Sequence, residues 1–301
     1  MVTAAATAEL QQRARVLARI IEPVVGQVFF SPECHARYAA LGFNPSSGTT
    51  SGGVALPDGP AYFTSRGSAL GQAPGQLVAA AFGVFNPDAV VPSVAHGWSL
   101  TDAATIADER LAGAVEQLER ILGPTPDGVA RAVELLALAT APLEPYGRAL
   151  FAGTLAQPLP GTPLGDLFRL GDRLREFRGD SHIAAWVAAG LDAIEIGLLT
   201  ELYWGIPARS YVRTRAWTDA QLDAAEARLE VAGHLAGGTL TDEGRAFREA
   251  IERATDAQMA PALDALGDDL ADLEAILTPM DQQVMKGGGY PPSPLAIAIE
   301  T

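Results

Sequence analysis

A helix, a glycine-paired hairpin and a second long helix follow one another between Thr218 and Ala265, and this order strongly limits the fold. The stretch WTDAQLDAAEARLEVAG places the capping residue Thr218 before a helix with an apolar face. HLAGGTLTDEG then has the pattern of a strand, a Gly-Gly turn and a strand, and a helix from Thr241 to about Ala265 follows. The sequence therefore predicts a mainly α-helical chain that contains a small β-hairpin.

The run ARLEVAGHLAGGTLTDEGRAFREAIERATD, residues 227–256, resembles the winged helix-turn-helix proteins of the MarR type. The resemblance implies a recognition helix, a two-stranded wing and a following helix. The whole chain also resembles a family of uncharacterised actinobacterial helix-turn-helix proteins. That resemblance rests on FFSPECHARYAALG, YFTSRGSALG, REFRGDSHIAAWVAAGLDAIE, GRAFREAIERATD and the closing GGGYPPSPL. It implies the same fold and no particular activity.

Three regions are expected: an α-helical domain over residues 1–205, a winged-helix-like domain over 206–280 and a Gly/Pro-rich tail over 281–301. A nearly apolar stretch from Ser181 to about Trp204 predicts a buried central helix. The segment 44–63 and the neighbouring YFTSRG, residues 62–67, are predicted as loops. Apolar periodicity predicts further helices over 5–23, 32–41, 75–82, 101–121, 126–139 and 164–177.

Composition sets the broad class of the protein. Its 301 residues, 48% of them hydrophobic, suffice for a core without disulfides, and the single Cys34 cannot form an intramolecular one. No apolar run approaches the roughly 18 to 20 residues of a membrane span. We therefore expect a cytoplasmic protein without a membrane partner.

Several cofactor and catalytic classes lack their sequence signatures. SGTTSGG has no phosphate-loop lysine, and SRGSALGQAPG contains no GxGxxG after a clear strand, so no nucleotide cofactor is expected. A GxSxG elbow, an HExxH pair and paired cysteines are also missing from the sequence. A metal or haem site would have to be assembled from distant segments through His35 and His182.

The stretch EFRGDSHIAAW, residues 176–186, permits two interpretations. In the first, Gly179 turns the chain and Asp180 caps the central helix. In the second, His182 is a base poised near physiological pH, kept neutral by the helix start and oriented by Asp180 or Glu176. Both interpretations can hold together.

A mainly apolar pocket for a small organic ligand is expected among the helices. Its walls would come from residues 29–43, residues 62–70 and the helix start at His182. We expect His182, Asp180 and His35 as acid/base groups. The expected ligand-binding residues are Arg66, Arg178, Tyr62 and Glu33.

Nucleic acid is the disfavoured partner on electrostatic grounds. The formal net charge is -15, and residues 216–280 carry 14 acidic against 4 basic side chains. Such a surface repels phosphates at long range. The opposing signal is PARSYVRTRAW and the helix after it, where DNA contacts would come from Arg209, Arg213, Arg215 and Arg228.

The resulting interpretation is a small-molecule-binding protein or a cofactor-poor enzyme that uses His182, His35 and arginines in a helical pocket. One alternative is a ligand-responsive winged-helix transcriptional regulator. A second is a metal- or haem-binding protein that uses His35 and His182. A homodimer formed through the winged-helix region is a further expectation.

Overall fold

A computed structural model describes residues 4–50 and 53–292 of the chain, and it confirms the mainly α-helical class. Two antiparallel strand pairs accompany the helices: β1 (Gly48–Thr49) with β2 (Ala55–Leu56), and β3 (Leu235–Ala236) with β4 (Thr239–Leu240). The α-helices are α1 (Ala4–Gly26), α2 (Pro32–Ala40), α3 (Gly59–Gly67), α4 (Gly75–Phe82), α5 (Pro87–Leu100), α6 (Ala103–Leu122), α7 (Val129–Thr140), α8 (Ala149–Ala156), α9 (Pro163–Ala188), α10 (Ala193–Tyr203), α11 (Asp219–Val231), α12 (Asp242–Ala257), α13 (Ala260–Leu266) and α14 (Leu270–Lys286).

Helix α9 lies at the centre of the fold and packs against α1, α6, α7, α8 and α12. Its Phe168 joins Leu17 of α1, Leu136 of α7 and Leu277 of α14 in one hydrophobic cluster. Burying a side chain of this size stabilises a fold by about 1.5–3 kcal/mol. The last helices therefore belong to the same core as the first.

The predicted boundaries of the central helix are wrong. Helix α9 continues through Gly179 and Asp180, and the chain breaks instead at Gly190, whose φ of 83° suits glycine. Asp192 then caps α10 in a capping box with Glu195. The cost of about 1 kcal/mol for a glycine inside a helix is small against the packing of α9 on five neighbours.

The structure has helical residues where a loop was predicted, and it has a helix, α5, that the sequence patterns did not predict. YFTSRG lies in α3 because the Asp58 side chain accepts the N–H of Ala61 and caps that helix. Asn86 likewise caps α5, with Pro87 at its first position. The expected start of α2 is confirmed, with Ser31 accepting the N–H of Cys34.

The helix, hairpin and helix expected near the C-terminus are present. Thr218 and Gln221 form a capping box at α11, and β3 pairs with β4 through Leu235↔Leu240. The following helix was predicted to reach about residue 265, but α12 ends at Ala257 and α13 is separate. A local core joins these elements: Ile194, Leu198, Leu199, Val212, Leu222, Ala225, Leu229 and Leu235.

Some expectations about organisation stay open. This local core begins in α10, so apolar packing crosses the proposed boundary at residue 205, and the division into domains stays a prediction. Helix α14 extends to Lys286, within the predicted tail, and residues 293–301 lie outside the described part. None of the helices in the described ranges is alone long and apolar enough to cross a membrane; α9 and α10 pass that test only as a pair bent by 108°.

Candidate nucleic-acid interface

The segment from Tyr203 to Trp217 connects α10 to α11 and differs in composition from the rest of this acidic chain. Its sequence, YWGIPARSYVRTRAW, contains three arginines, four aromatic residues and neither aspartate nor glutamate. We call it the basic-aromatic loop. Arginines beside aromatic rings are the side chains that bind nucleic-acid backbones and bases, so this loop is the candidate interface.

Glu201 fixes the conformation of the basic-aromatic loop. Its side chain is fully buried and accepts the backbone N–H groups of Tyr211 and Val212, each at 3.0 Å, and that of Arg209. Burial raises the pKa of Glu201 above its ordinary value, against the lowering effect of these donors. A single carboxylate thus orders three residues of the loop.

The loop backbone carries two conformations that L residues rarely adopt. Arg209 has a φ of 62° and Ala216 a φ of 64°, and non-glycine residues in this region cost about 1–3 kcal/mol each. Asn86 holds the second position from outside, because its side-chain amide donates to the carbonyl of Ala216 at 2.9 Å. The surrounding contacts therefore impose a defined shape on the loop.

Arg215 supports the loop from within. Its guanidinium lies 4.3 Å from the ring centroid of Tyr211 and 4.7 Å from that of Phe85, and it donates to the Tyr211 hydroxyl. The N–H of Asn86 donates to the carbonyl of Arg215 at 2.9 Å. The structure places Arg215 in a stack that joins the loop to the turn between α4 and α5. Its DNA contact, expected in the regulator alternative, stays a prediction.

Trp204 presents an aromatic surface at the edge of the loop. It is 48% exposed, and its ring meets that of Tyr211 edge to face, with centroids 5.5 Å apart. An exposed aromatic ring next to arginines is a surface on which a base can stack. The arginines of this loop were recognisable from the sequence, whereas Trp204 and the role of Glu201 were not.

The other three arginines that would contact DNA in the regulator alternative, Arg209, Arg213 and Arg228, are paired with carboxylates. Arg213 lies 2.7 Å from Asp219, and both side chains are more than half exposed. Pairs this exposed contribute about 0–1 kcal/mol, so a phosphate can replace the carboxylate. The remaining contacts are Arg209 with Asp223 and Glu226, and Arg228 with Asp192 and Glu195.

His182 lies within α9 rather than at a helix start. Its Nδ1 is 3.0 Å from the Thr255 hydroxyl of α12. Burial, with the positive charge of Arg248, lowers the pKa of His182 to about 4. The ring is therefore neutral at physiological pH, but it is not a base poised there, and neither Asp180 nor Glu176 orients it.

Asp180 caps a helix other than the one predicted. Its buried carboxylate accepts the N–H of Phe151 at 2.9 Å, in the first turn of α8. Burial raises the pKa of Asp180 to about 6. The sequence showed the capping residue but not its partner, which lies 29 positions away.

Arg66 and Tyr62 meet at a buried carboxylate on α9. Arg66 binds Glu176 through two bonds of 3.0 and 2.7 Å, and its Nη1 lies 3.4 Å from the Tyr62 hydroxyl. The two flanking arginines, with Arg66 first, lower the pKa of Glu176 to about 2, whereas burial raises it. This fork, expected to hold a ligand, is filled by a side chain of the protein.

The other predicted site residues lie in separate surroundings. His35 is buried, with its Nε2 3.0 Å from the carbonyl oxygen of Phe29, and burial lowers its pKa. Glu33 pairs with Arg120, and Arg178 pairs with Glu252 and Asp256. His35 and His182 therefore contact different groups, and their catalytic or ligand roles stay predictions.

A small cavity adjoins the Arg66–Glu176 pair. Its volume is about 10 Å³, which is room for about one water molecule and not for an organic ligand. Within residues 4–50 and 53–292, no cluster of three or more His, Cys, Asp or Glu side chains is arranged to hold a metal ion. The polar residues lining the cavity are Ser65, Arg66, Ser68, Arg110, Thr154, Gln157, Asp172 and Glu176.

A family model described as a helix-turn-helix family matches residues 14–291, which is nearly the whole chain. No curated protein and no solved structure matches.

Proposed function

This chain belongs to the helix-turn-helix family, and from that premise we propose that it binds DNA as a transcriptional regulator. The contact surface in this proposal is the basic-aromatic loop together with Arg228 of α11. The observation that carries the proposal is that this ordered loop presents Arg213 and Trp204 to solvent and contains no acidic residue. The likeness of residues 227–256 to MarR-type proteins, with a hairpin between α11 and α12, supports the same assignment.

Electrostatics determines how strong this binding is. The net charge of -15 opposes approach to DNA. Arg213 can contact a phosphate by giving up one exposed partner, whereas Arg209 and Arg228 must each exchange two carboxylates for a phosphate. Each neutralised phosphate contributes about -0.9 to the slope of log affinity against log salt. Three contacts predict a slope of about -3, so the affinity should fall about 40-fold between 50 and 200 mM salt.

A titration with matched variants tests the proposal. The ligand is a labelled DNA duplex from the promoter that flanks the gene of this protein. Its fluorescence anisotropy is measured at about 50 and 200 mM salt with the wild-type protein and with the double variant Arg213→Ala/Arg228→Ala. Arg131→Ala is the control, because Arg131 is comparably exposed and pairs with Glu134 on α7, outside the loop.

We expect the wild-type protein and the Arg131 variant to bind with the same salt slope. The double variant should bind more weakly, with a slope shallower by about 2. Absence of binding at low salt, or equal binding by all three proteins, would overturn the proposal.

A further inference from the structure

Helix α11 occupies the position of a recognition helix but lacks the side chains that read bases. Base edges in the major groove are read mainly by Arg, Lys, Asn and Gln. The Gln221 amide is engaged at the N-cap of α11, and Arg228 is paired with Asp192 and Glu195. The residues exposed on α11 apart from Arg228 are Asp219, Ala220, Asp223, Ala224, Ala227, Glu230 and Val231.

The charges on this face also oppose insertion into a duplex groove. Asp219, Asp223 and Glu230 would face phosphates on both sides of the groove, where like charges repel. Alanine side chains offer no hydrogen bond in return. Sequence reading through α11 is therefore physically unfavourable.

The basic-aromatic loop offers a different kind of contact. The half-exposed ring of Trp204 is supported edge-on by Tyr211, which is itself stacked on Arg215. Arg213 lies two positions from Tyr211 and is the most exposed of the loop arginines. An aromatic platform beside arginines binds unpaired bases by stacking and their backbone by charge.

We infer that the loop binds single-stranded polynucleotides without reading their sequence, with an unpaired base stacked on Trp204. This inference rests on one part of the proposed function, nucleic-acid binding by the basic-aromatic loop, and makes a single strand rather than a duplex the preferred ligand. The ligand chemistry, an unpaired base on a phosphate backbone, is common to DNA and RNA. Stacking of one base contributes about tenfold or more in affinity, and the strand has no paired partner that must be displaced.

Four ligands and three variants test the inference on the full-length chain. Anisotropy at about 50 mM salt compares a thymine oligodeoxynucleotide and a uracil oligoribonucleotide, each of about 16 nucleotides, with a duplex of equal length and with the promoter duplex. The proteins are the wild type, Trp204→Ala, Trp204→Phe and the control Tyr146→Ala. Tyr146 is 79% exposed and lies outside the loop.

We expect the single strands to bind at least tenfold more tightly than the duplexes and to quench tryptophan fluorescence. Trp204→Ala should weaken single-strand binding about tenfold, whereas Trp204→Phe should restore most of it and Tyr146→Ala should leave it unchanged. Similar affinity for DNA and RNA would identify the base and phosphate as the shared determinants.

Four outcomes separate this inference from the proposed function. Tighter binding to duplex than to single strands, or an unchanged affinity of Trp204→Ala, overturns the inference and leaves duplex binding intact. Absence of binding to every oligonucleotide overturns both. Binding to single strands alone supports the inference and contradicts a duplex-binding regulator.

Discussion

The buried carboxylate of Glu201 accepts the backbone N–H of Tyr211 at 3.0 Å, and this bond joins the end of α10 to the basic-aromatic loop. The same carboxylate accepts the neighbouring N–H of Val212. The loop conformation therefore depends on this buried acceptor as well as on the contacts of Arg215 and Asn86. Binding by the loop is therefore expected to depend on a side chain that does not touch the ligand.

Glu201→Gln is expected to loosen the loop while keeping the side-chain volume. The amide has one accepting oxygen in place of two, so at least one buried N–H loses its partner, at a cost of about 1–3 kcal/mol in the free energy of unfolding. Urea unfolding measures this loss, and hydrogen exchange should show faster exchange at 209–212. Glu230→Gln, an exposed change on α11, is the control. Unchanged exchange at 209–212 would contradict the role of Glu201.

Arg215 is expected to contribute to stability, and Arg213 to nucleic-acid binding. Arg215→Ala removes the stack between Phe85 and Tyr211, so it should lower the melting temperature. Arg213→Ala removes an exposed side chain, so it should leave the melting temperature unchanged and make the salt dependence of binding shallower by about 1. Calorimetry and anisotropy separate the two effects. A reversed pattern would show that Arg215, not Arg213, contacts phosphate.

Neutralising the carboxylates beside Arg209 is expected to strengthen nucleic-acid binding. Asp223→Asn/Glu226→Gln frees the Arg209 guanidinium, which now pairs with both acids, and removes two negative charges from the interface. Because exposed or half-exposed pairs contribute at most about 1 kcal/mol, we expect a gain of up to about fivefold at low salt. The matched control neutralises Glu134, which pairs with Arg131 on α7. Weaker binding by the double variant would contradict the loop as the contact surface.

His182 is expected to titrate far below its ordinary range. Its pKa in the fold is about 4, against 6.5 for an unperturbed histidine, so protonation favours the unfolded chain. The stability contributed by the neutral ring is complete above pH 6.5 and is lost as the pH falls toward 4. An NMR titration of the ring protons gives the pKa directly. Urea unfolding of wild type and His182→Gln at pH 7 and 4.5 gives the stability. An NMR value near 6.5 would contradict the burial of the ring.

Local signals in the sequence predicted the elements whose ends are determined locally. Ser31 caps α2 and Thr218 caps α11, and each accepts a backbone N–H from within the next three residues. Both helices start as predicted. The glycine pair of the hairpin is equally local, with φ values of 57° and 74°. Caps and turns of this kind depend only on neighbouring residues, so the sequence alone is enough to predict them.

Other features depended on partners distant in the sequence. Aspartate is a typical N-cap residue, but Asp180 lies in the middle of α9 and caps α8 instead. Arg66 was recognised as an anion-binding side chain, but its anion is Glu176, 110 positions away. Glu201 stands out as a charge in an apolar helix, and only the folded chain shows the loop that it orders. The chemical character of each residue was readable, whereas its partner was not.

Ultraviolet crosslinking followed by mass spectrometry tests the central claim most directly. The wild-type protein is irradiated at low salt with a thymine oligonucleotide and, separately, with the promoter duplex, and the crosslinked peptides are sequenced. The account predicts crosslinks within residues 203–217, centred on Trp204 and Tyr211, that disappear at about 200 mM salt. Crosslinks confined to other parts of the chain, or none with either nucleic acid, would contradict it.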